Sequence, residues 1–280
     1  MYPRSFKLIW PHDLGEALEA VEEGALPLAG GQSLIPMMKL RLVAPDTMVY
    51  LGPLHDLNYI KIQNGKIKIG ALATHAQIAQ VLKSDCPLLS KAASEIGDVQ
   101  VRNMGTIGGS VAHADPAADY PAALIALGAT IKTISKRGTR EIAAEKFFTG
   151  PYQTALTRGE LVFEVIVPKT GRSVGYAKFT RIATDFAIAA VAVNIAVNNG
   201  IVENIAIGVS GVFHHPVRAR WIEDVIVGKK LNDEVLSRAL NREPEFEVIS
   251  DSRAGKELRF KAFKAMAKKA ILEAYENSEN

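Results

Sequence analysis

The sequence predicts an α+β fold, because three regions of the chain carry different hydrophobic patterns. Residues 1–55 contain two strand-like runs around a helical segment, which is typical of a small parallel βαβ unit. Residues 56–170 combine alternating hairpins with helical segments. A linker covers residues 169–175, and beyond it strand-like runs are followed by helices. With 280 residues, 48% hydrophobic and 22% charged, the chain is ordinary for a globular protein that buries a core.

In the first region, Pro11 and Asp13 introduce a helix whose apolar residues repeat at helical spacing, and Gly24 closes it. Two short strands follow, "LPLAG" and "TMVYL". The segment "LIPMMKLRL" lies between them and is predicted to be a helical turn or crossover. Strand, crossover and strand in this order predict parallel pairing.

In the second region, "YIKIQNGKIKIGA" alternates around Asn64-Gly65 and is the strongest hairpin signal in the chain. The segment "THAQ" predicts a capping box that starts a helix ending near Leu82. Further helices are predicted from Leu88 to Ile96 and from Asp119 to Leu127. The segments "TIKTIS" and "TREIA" predict another hairpin, and "ELVFEVIVP" predicts another strand.

In the third region, residues 175–280, the runs "YAKFTRI", "IAAVAVNIAV" and "VENIAIGVSGV" predict a three-stranded antiparallel sheet. Helices dominate from Arg218 onward. The segment "LRFKAFKAMAKKAILEAY" is rich in lysine, which could indicate a helix on a membrane surface. A core-facing apolar stripe with a solvated outer face is the favoured interpretation.

Composition excludes several classes of function. A net charge of +3 without a basic stripe argues against nucleic acid. The longest apolar run, Phe186 to Val193, is too short to span a membrane, and the N-terminus lacks a signal-peptide pattern, so a cytoplasmic protein is expected. Cys86 is the only cysteine, which excludes an internal disulfide and a cluster held by several thiolates. The six histidines have no metal-site spacing.

Two glycine-rich segments are the first candidates for a binding site: "AGGQSL" at Ala29–Leu34 and "TIGGS" at Thr106–Ser110. Neither fits the pattern G-x-G-x-x-G or G-x-x-x-x-G-K-[ST]. Glycine lets backbone N–H groups approach an anion closely, so two such loops could hold the two halves of a pyrophosphate. The alternative is that both are tight turns without a ligand.

Acidic and histidine side chains near the second segment are further candidates. Asp119 lies where a helix is predicted to start, so it is either an N-cap or a carboxylate that accepts hydrogen bonds from a bound ring or ribose. Asp115 precedes it by four residues. His75 is expected at a helix N-terminus, and His113 is a candidate for lining the loop. The sequence shows no nucleophile triad, so no catalytic residue is predicted.

Taken together, these motifs resemble the FAD-binding medium subunits of molybdenum hydroxylases, the carbon monoxide, aldehyde and xanthine dehydrogenase family. The family pattern A-G-G-x-S-L matches residues 29–34, and R-N-x-G-T-I-G-G matches residues 102–109. The family's following aspartate matches Asp119. The patterns G-A-x-x-T-H and F-x-R-x-x-x-D-x-A match residues 70–75 and 179–187. The resemblance covers nearly the whole chain.

The resemblance implies an FAD-binding domain of the vanillyl-alcohol-oxidase type at residues 1–170, made of subdomains 1–55 and 56–170. A C-terminal molybdenum-hydroxylase flavoprotein domain would cover residues 175–280. It implies FAD as the cofactor and no metal. The residues expected to bind FAD are Ala29, Gly30, Gly31, Gln32, Ser33, Leu34, Thr74, His75, Val101, Asn103, Thr106, Ile107, Gly108, Gly109, Ser110, His113, Asp115, Asp119, Leu161, Val162 and Lys178.

The function that the resemblance implies is electron transfer. A molybdenum–pterin large subunit would oxidise the substrate, and a small subunit with two-iron two-sulfur clusters would relay electrons to FAD on this chain. The assembly would be a dimer of heterotrimers, and the chain would pass electrons to an external acceptor. Two alternatives are a stand-alone FAD-dependent oxidase with the same type of FAD domain and a non-catalytic flavin-binding module. The substrate and the acceptor stay open.

Overall fold

The N-terminal region forms the parallel unit that its pattern predicts. A computed structural model describes residues 2–279, and in it the first sheet has the strand order β1-β3-β2 with parallel pairing throughout. The Asp13 side chain accepts a hydrogen bond from the Glu16 N–H at 2.9 Å and so caps α1. Strand β1 was not predicted, because three residues are too few to display a period. The elements are β1 (Lys7–Ile9), α1 (Leu14–Glu22), β2 (Leu26–Leu28), α2 (Leu34–Lys39) and β3 (Thr47–Tyr50).

The middle region is built on a five-stranded antiparallel sheet with the order β4-β5-β10-β6-β7. Both predicted hairpins are confirmed, and Asn64 and Gly65 have φ of 50° and 70° at the first turn. Its elements are β4 (Ile60–Gln63), β5 (Lys66–Gly70), α3 (His75–Val81), α4 (Pro87–Ser94), α5 (Val99–Met104), α6 (Ile107–His113), α7 (Asp119–Ala126), β6 (Thr130–Ser135), β7 (Gly138–Ala143), α8 (Ala144–Phe147), β8 (Phe148–Gly150), β9 (Gln153–Thr154) and β10 (Leu161–Pro168).

Helices α5 and α6 are the main additions to the predicted pattern. The glycine-rich segment "TIGGS" is the start of α6, with Thr106 as its N-cap. Tertiary hydrogen bonds hold this start in place: the Ile107 N–H donates to the Ala73 carbonyl at 3.0 Å, and the Gly108 N–H donates to the Ala71 carbonyl at 2.9 Å. Two adjacent glycines have low helix propensity, so local sequence alone does not indicate this helix.

The C-terminal region contains an antiparallel sheet with the order β11-β12-β13-β14. The predicted three strands are present, and β14 is a fourth strand of two residues that the sequence pattern did not indicate. The predicted core stripe of α11 comprised Phe260, Phe263, Ala267, Ile271 and Ala274. It is confirmed for the last four, which are at most 2% exposed, whereas Phe260 is only partly buried. The elements are β11 (Val174–Phe179), β12 (Ala189–Asn198), β13 (Ile201–Ser210), β14 (Val217–Arg218), α9 (Arg220–Ile226), α10 (Asp233–Leu240) and α11 (Lys256–Glu279).

Helix α7 connects the middle region to the C-terminal sheet. Every one of its eight residues is buried, and a Cβ built on Gly208 of β13 would lie 2.0 Å from the Ala122 carbonyl oxygen. The glycine therefore lets the helix approach the strand closely, and this contact fixes the position of Asp119 at the start of α7. In the part of the chain from residue 2 to residue 279, no helix is long and apolar enough to cross a bilayer.

Candidate functional site

A cleft of about 610 Å³ is lined by the turn after β2, the start of α6, the start of β10 and the segment Thr184–Phe186. This volume falls within the roughly 300–1,000 Å³ of small-molecule sites. Most of the residues expected to bind FAD line it: Ala29, Gly30, Gly31, Gln32, Ser33, Leu34, His75, Val101, Thr106, Gly108, Gly109, Ser110, His113, Asp119, Leu161 and Val162.

The other five expected residues lie off the lining of this cleft. Thr74 caps α3 in the predicted capping box. Asn103 donates to a carbonyl of its own helix at 2.8 Å, and Ile107 is fully buried. Asp115 accepts a hydrogen bond at 2.8 Å from the backbone N–H two residues ahead. Lys178 lies behind the cleft wall in an ion pair. These five side chains make their contacts within the protein and are not part of the lining of the cleft.

The turn after β2 presents free backbone donors at the cleft. Within residues 2–279, the N–H groups of Gly31, Gln32 and Ser33 make no hydrogen bond. Gly31 has a φ of +71°, a conformation that favours glycine. A Cβ on Gly30 would lie 2.0 Å from the Met104 carbonyl oxygen, so this glycine lets the turn pack against the end of α5. Consecutive free N–H groups suit an anion.

The two glycines of α6 have different roles. A Cβ on Gly108 would lie 2.6 Å from the Cβ of Ala71, so Gly108 is needed for packing behind the helix. A Cβ on Gly109 would contact the Thr106 hydroxyl oxygen at 3.0 Å and the Ala29 Cβ at 3.8 Å, and apart from its chain neighbours and the backbone of its own helix it would meet no other heavy atom within 4 Å. Gly109 therefore keeps the cleft open on the side that faces the first glycine-rich segment.

The negative charges of the cleft are balanced by cationic side chains outside its lining. Its lining contains three carboxylates and neither lysine nor arginine among the described residues. An anion in the cleft would thus be held by N–H and hydroxyl groups. Each carboxylate has a cationic partner that is not part of the lining: Asp119 with Lys178 at 2.9 Å, Glu160 with Arg140 at 2.6 Å, and Asp185 with Arg181 at 3.1 Å.

Asp119 is not the N-cap of α7, because that position is Ala118 and Asp119 is the first helical residue. Its carboxylate accepts a hydrogen bond from the Tyr176 hydroxyl at 2.6 Å and another from Lys178 Nζ. All three side chains are almost inaccessible to water. The protein itself therefore already binds both carboxylate oxygens. These contacts give no direct support to the predicted role of Asp119 as an acceptor for a bound ring or ribose.

Glu160 has a similar arrangement at the other side of the cleft. Burial by itself would raise the pKa of this carboxyl group, but hydrogen bonds from Arg140, Thr157 and Thr133 lower the pKa to about 2. The carboxylate accepts two hydrogen bonds from Arg140, at 2.7 and 2.6 Å. Glu160 is therefore ionised at neutral pH, and its role is to tie β7 to the segment that leads into β10.

Two histidines line the cleft. His75 is 4% exposed, and its Nδ1 lies 3.0 Å from the Tyr120 hydroxyl oxygen. Burial, with a smaller contribution from Arg102, lowers the pKa of His75 to about 4, so its ring is neutral at neutral pH. His113 lies 5.3 Å from Tyr152 between ring centroids, and burial lowers its pKa as well.

Several residues of the site were not among the sequence-based candidates. Tyr152 and the segment Thr184–Phe186 line the cleft, and Tyr120 lies directly behind His75. Asp185 belongs to the F-x-R-x-x-x-D-x-A element, so the motif could have indicated this segment. Tyr120 and Tyr152 had no such signal. Within residues 2–279, no group of three or more His, Cys, Asp or Glu side chains could hold a metal ion.

Comparison with protein families gives two matches that together cover most of the chain. The family described as the FAD binding domain in molybdopterin dehydrogenase matches residues 4–170. The family described as the CO dehydrogenase flavoprotein C-terminal domain matches residues 175–274. The motif-based resemblance is thereby confirmed.

Individual proteins agree with the family matches. The chain is 40% identical over 279 residues to the glyceraldehyde dehydrogenase medium chain of Sulfolobus acidocaldarius, covering 98% of this chain and 99% of that one. It is 36% identical over 288 residues to the carbon monoxide dehydrogenase medium chain of Afipia carboxidovorans, covering 100% of both. Among solved structures, reconstituted CO dehydrogenase from Oligotropha carboxidovorans matches with a TM-score of 0.93 at 33% identity, covering 99% of this chain and 100% of that one.

Proposed function

Because the chain belongs to the family of FAD-binding medium subunits of molybdenum hydroxylases, we propose that it binds FAD in the cleft and acts as the electron-transfer subunit of such an enzyme. The observation that carries this proposal is the cleft between the two glycine-rich segments. One wall offers consecutive unbonded N–H groups from Gly31 to Ser33, and the other is kept open by Gly109.

The residues of the cleft fit FAD chemically. The free N–H groups of the first turn would hold the pyrophosphate, since the lining itself has no lysine or arginine among the described residues. The side chains of Leu161 and Val162, which are 6% and 7% exposed, would provide apolar contact to the bound cofactor. When bound, FAD would supply electron-accepting redox chemistry that this chain, with its single buried cysteine, does not have. The protein's part is to orient the cofactor and limit water around it.

The proposal includes two partner subunits and an assembly. Electrons would arrive from two-iron two-sulfur clusters on a small subunit, after substrate oxidation on a molybdenum–pterin large subunit. Relatives named as medium chains or subunits, including the carbon monoxide, caffeine and nicotine enzymes, support a multi-subunit enzyme. The single cysteine, Cys86, is buried, so this chain has no thiolate set for a cluster. We propose a dimer of heterotrimers in the cytoplasm, with residues 1–170 as the FAD-binding domain and 175–280 as the C-terminal domain.

Two measurements test this function. The purified chain is expected to bind one FAD non-covalently, so acid precipitation should release all flavin into the supernatant as FAD. Flavin in the pellet or FMN in the supernatant would contradict this. The isolated chain is then mixed with aldehydes, carbon monoxide or purines, which should leave the flavin absorption unchanged.

The same substrates, added to the chain together with its molybdenum and iron–sulfur partners, should bleach the flavin absorption if one of them is the substrate of the assembled enzyme. Substrate-driven bleaching in the isolated chain would favour the stand-alone oxidase. A chain that purifies without flavin and does not bind added FAD would overturn the proposal.

A further inference from the structure

His75 and Tyr120 form a buried pair in the wall of the cleft. His75 begins α3 and is 4% exposed, whereas Tyr120 lies on α7 and is fully buried. The His75 Nδ1 lies 3.0 Å from the Tyr120 hydroxyl oxygen, and the two rings meet edge to face with centroids 5.2 Å apart. Only His75 contributes to the lining of the cleft, so Tyr120 acts on the cleft through the histidine.

The direction of this hydrogen bond follows from the surroundings of the tyrosine. Burial raises the pKa of Tyr120 well above its usual value, and the nearby Asp119 raises it further, so the hydroxyl keeps its proton. Within residues 2–279, the only hydrogen-bond partner of that hydroxyl is His75 Nδ1. A buried O–H without an acceptor is unfavourable. The hydroxyl therefore donates, and Nδ1 is the nitrogen without a proton.

The other ring nitrogen must then carry the proton of the neutral ring. Nε2–H has no hydrogen-bond partner within residues 2–279. A Cβ built on Gly105 would lie 2.6 Å from Nε2, so the absence of a side chain at this glycine leaves room beside the nitrogen. A donor on a side chain that is more than nine-tenths buried normally has a partner. His75 and Gly105 both line the cleft, so the room beside Nε2 opens into it.

We propose that His75 donates a hydrogen bond from Nε2–H to an acceptor atom of bound FAD, and that the Tyr120 hydroxyl sets the required tautomer. This inference rests on the proposed function, because it assigns the ligand of the same cleft. A neutral N–H binds an oxygen or an unprotonated ring nitrogen without adding charge to the site. His75 thereby supplies a side-chain donor in a cleft whose other donors are mainly backbone N–H and hydroxyl groups.

The first experiment measures the tautomer in the full-length FAD-free chain. Nitrogen-15 NMR of the histidine rings, assigned with His75→Gln, should show His75 as the Nε2–H tautomer at pH 7. In Tyr120→Phe, which lacks the fixed donor, the His75 signals should move toward a mixture of both tautomers. An Nδ1–H tautomer in the unmodified chain would overturn the proposal whether or not FAD binds.

The second experiment measures FAD affinity by fluorescence titration of the FAD-free chain. The double variant His75→Leu/Tyr120→Phe removes the donor without leaving an unpaired hydroxyl, and should bind FAD about tenfold more weakly. His75→Gln keeps an amide N–H near the position of Nε2 and should stay within about threefold of the unmodified chain. Thermal unfolding of each FAD-free variant checks that it is folded, and if the double variant fails this check the Gln variant and the NMR measurement decide.

The outcomes separate this inference from the proposed function. If the unmodified chain binds FAD and the folded double variant binds it equally well, His75 donates no useful hydrogen bond and the inference fails alone. If His75→Gln loses as much affinity as the double variant, an N–H donor is not what the cleft requires, and the inference also fails. If the unmodified chain binds no FAD, the proposed function fails together with the inference.

Discussion

Lys178 Nζ lies 2.9 Å from Asp119 Oδ1, and the two side chains are only 4% and 5% exposed. This ion pair connects β11 of the C-terminal sheet to the start of α7, and the Tyr176 hydroxyl donates to the same carboxylate at 2.6 Å. Lys178 also donates to the Glu95 carbonyl at 2.9 Å, next to Ile96 in the cleft wall. The pair thus links the C-terminal region to the lining of the cleft.

Removal of Asp119 should destabilise the fold much more than loss of a helix cap. Asp119→Ala would leave Lys178 as an uncompensated buried charge, so the free energy of unfolding should fall by about 3–5 kcal/mol, against about 1 kcal/mol for a lost cap. Denaturant unfolding of the FAD-free chain measures this. The control is Asp119→Leu/Lys178→Met, in which both charges are absent and most of the stability should return. A loss near 1 kcal/mol in the single variant would contradict this account.

Substitutions at the adjacent glycines of α6 should have opposite consequences. Gly109→Ala should leave the stability of the FAD-free chain within about 1 kcal/mol of its original value, because alanine favours a helix and its Cβ would meet only the Thr106 hydroxyl oxygen at 3.0 Å and the Ala29 Cβ at 3.8 Å. The same methyl group should weaken FAD binding at least about tenfold by obstructing the cleft. Gly108→Ala is the matched control, since its Cβ would clash with Ala71 and should mainly reduce stability. Equal FAD affinity in Gly109→Ala would show that this wall does not contact the cofactor.

Glu160 should contribute stability that is lost only in strong acid. Its folded-state pKa of about 2 is below the ordinary value of 4.5, so its contribution is complete above pH 4.5 and declines as the pH falls toward 2. The difference corresponds to about 3 kcal/mol. Glu160→Gln should therefore be less stable at pH 7 and show a flatter decline between pH 4.5 and 2. Urea unfolding across this range is the measurement, and an unchanged decline would contradict the assignment.

The free energy of unfolding should also depend on the protonation of His75, over a separate and less acidic pH range. Because burial lowers its pKa from 6.5 to about 4, the unfolded chain binds a proton that the folded chain does not bind between these values. Stability should therefore be complete above pH 6.5 and fall by about 3 kcal/mol as the pH approaches 4. His75→Gln cannot titrate and should flatten this range while leaving the Glu160 range unchanged. Identical pH profiles for the two chains would mean that His75 is accessible to protons when folded.

Local features of the fold could be predicted from the sequence where neighbouring residues supply both partners of an interaction. The turn at Asn64-Gly65 requires positive φ at both positions, and these are residues that adopt it readily. The capping box of Thr74 and Gln77 closes within three residues. The two glycine-rich segments were predicted from their composition and order, and most of their residues line the cleft.

What the sequence by itself determined was therefore the longer strands, the two hairpins, the family, and the two glycine-rich segments that line the cleft, because all of these depend on short-range patterns. Only the tertiary structure decided that Asp119 is bound by Lys178, 59 residues away, and that Tyr120 is paired with His75, 45 residues away. It also decided that Gly108 serves packing while Gly109 keeps the cleft open. The reason is that hydrogen bonds, charge burial and steric room between distant segments depend on how those segments pack. A local hydrophobic period or a short motif carries no information about that packing.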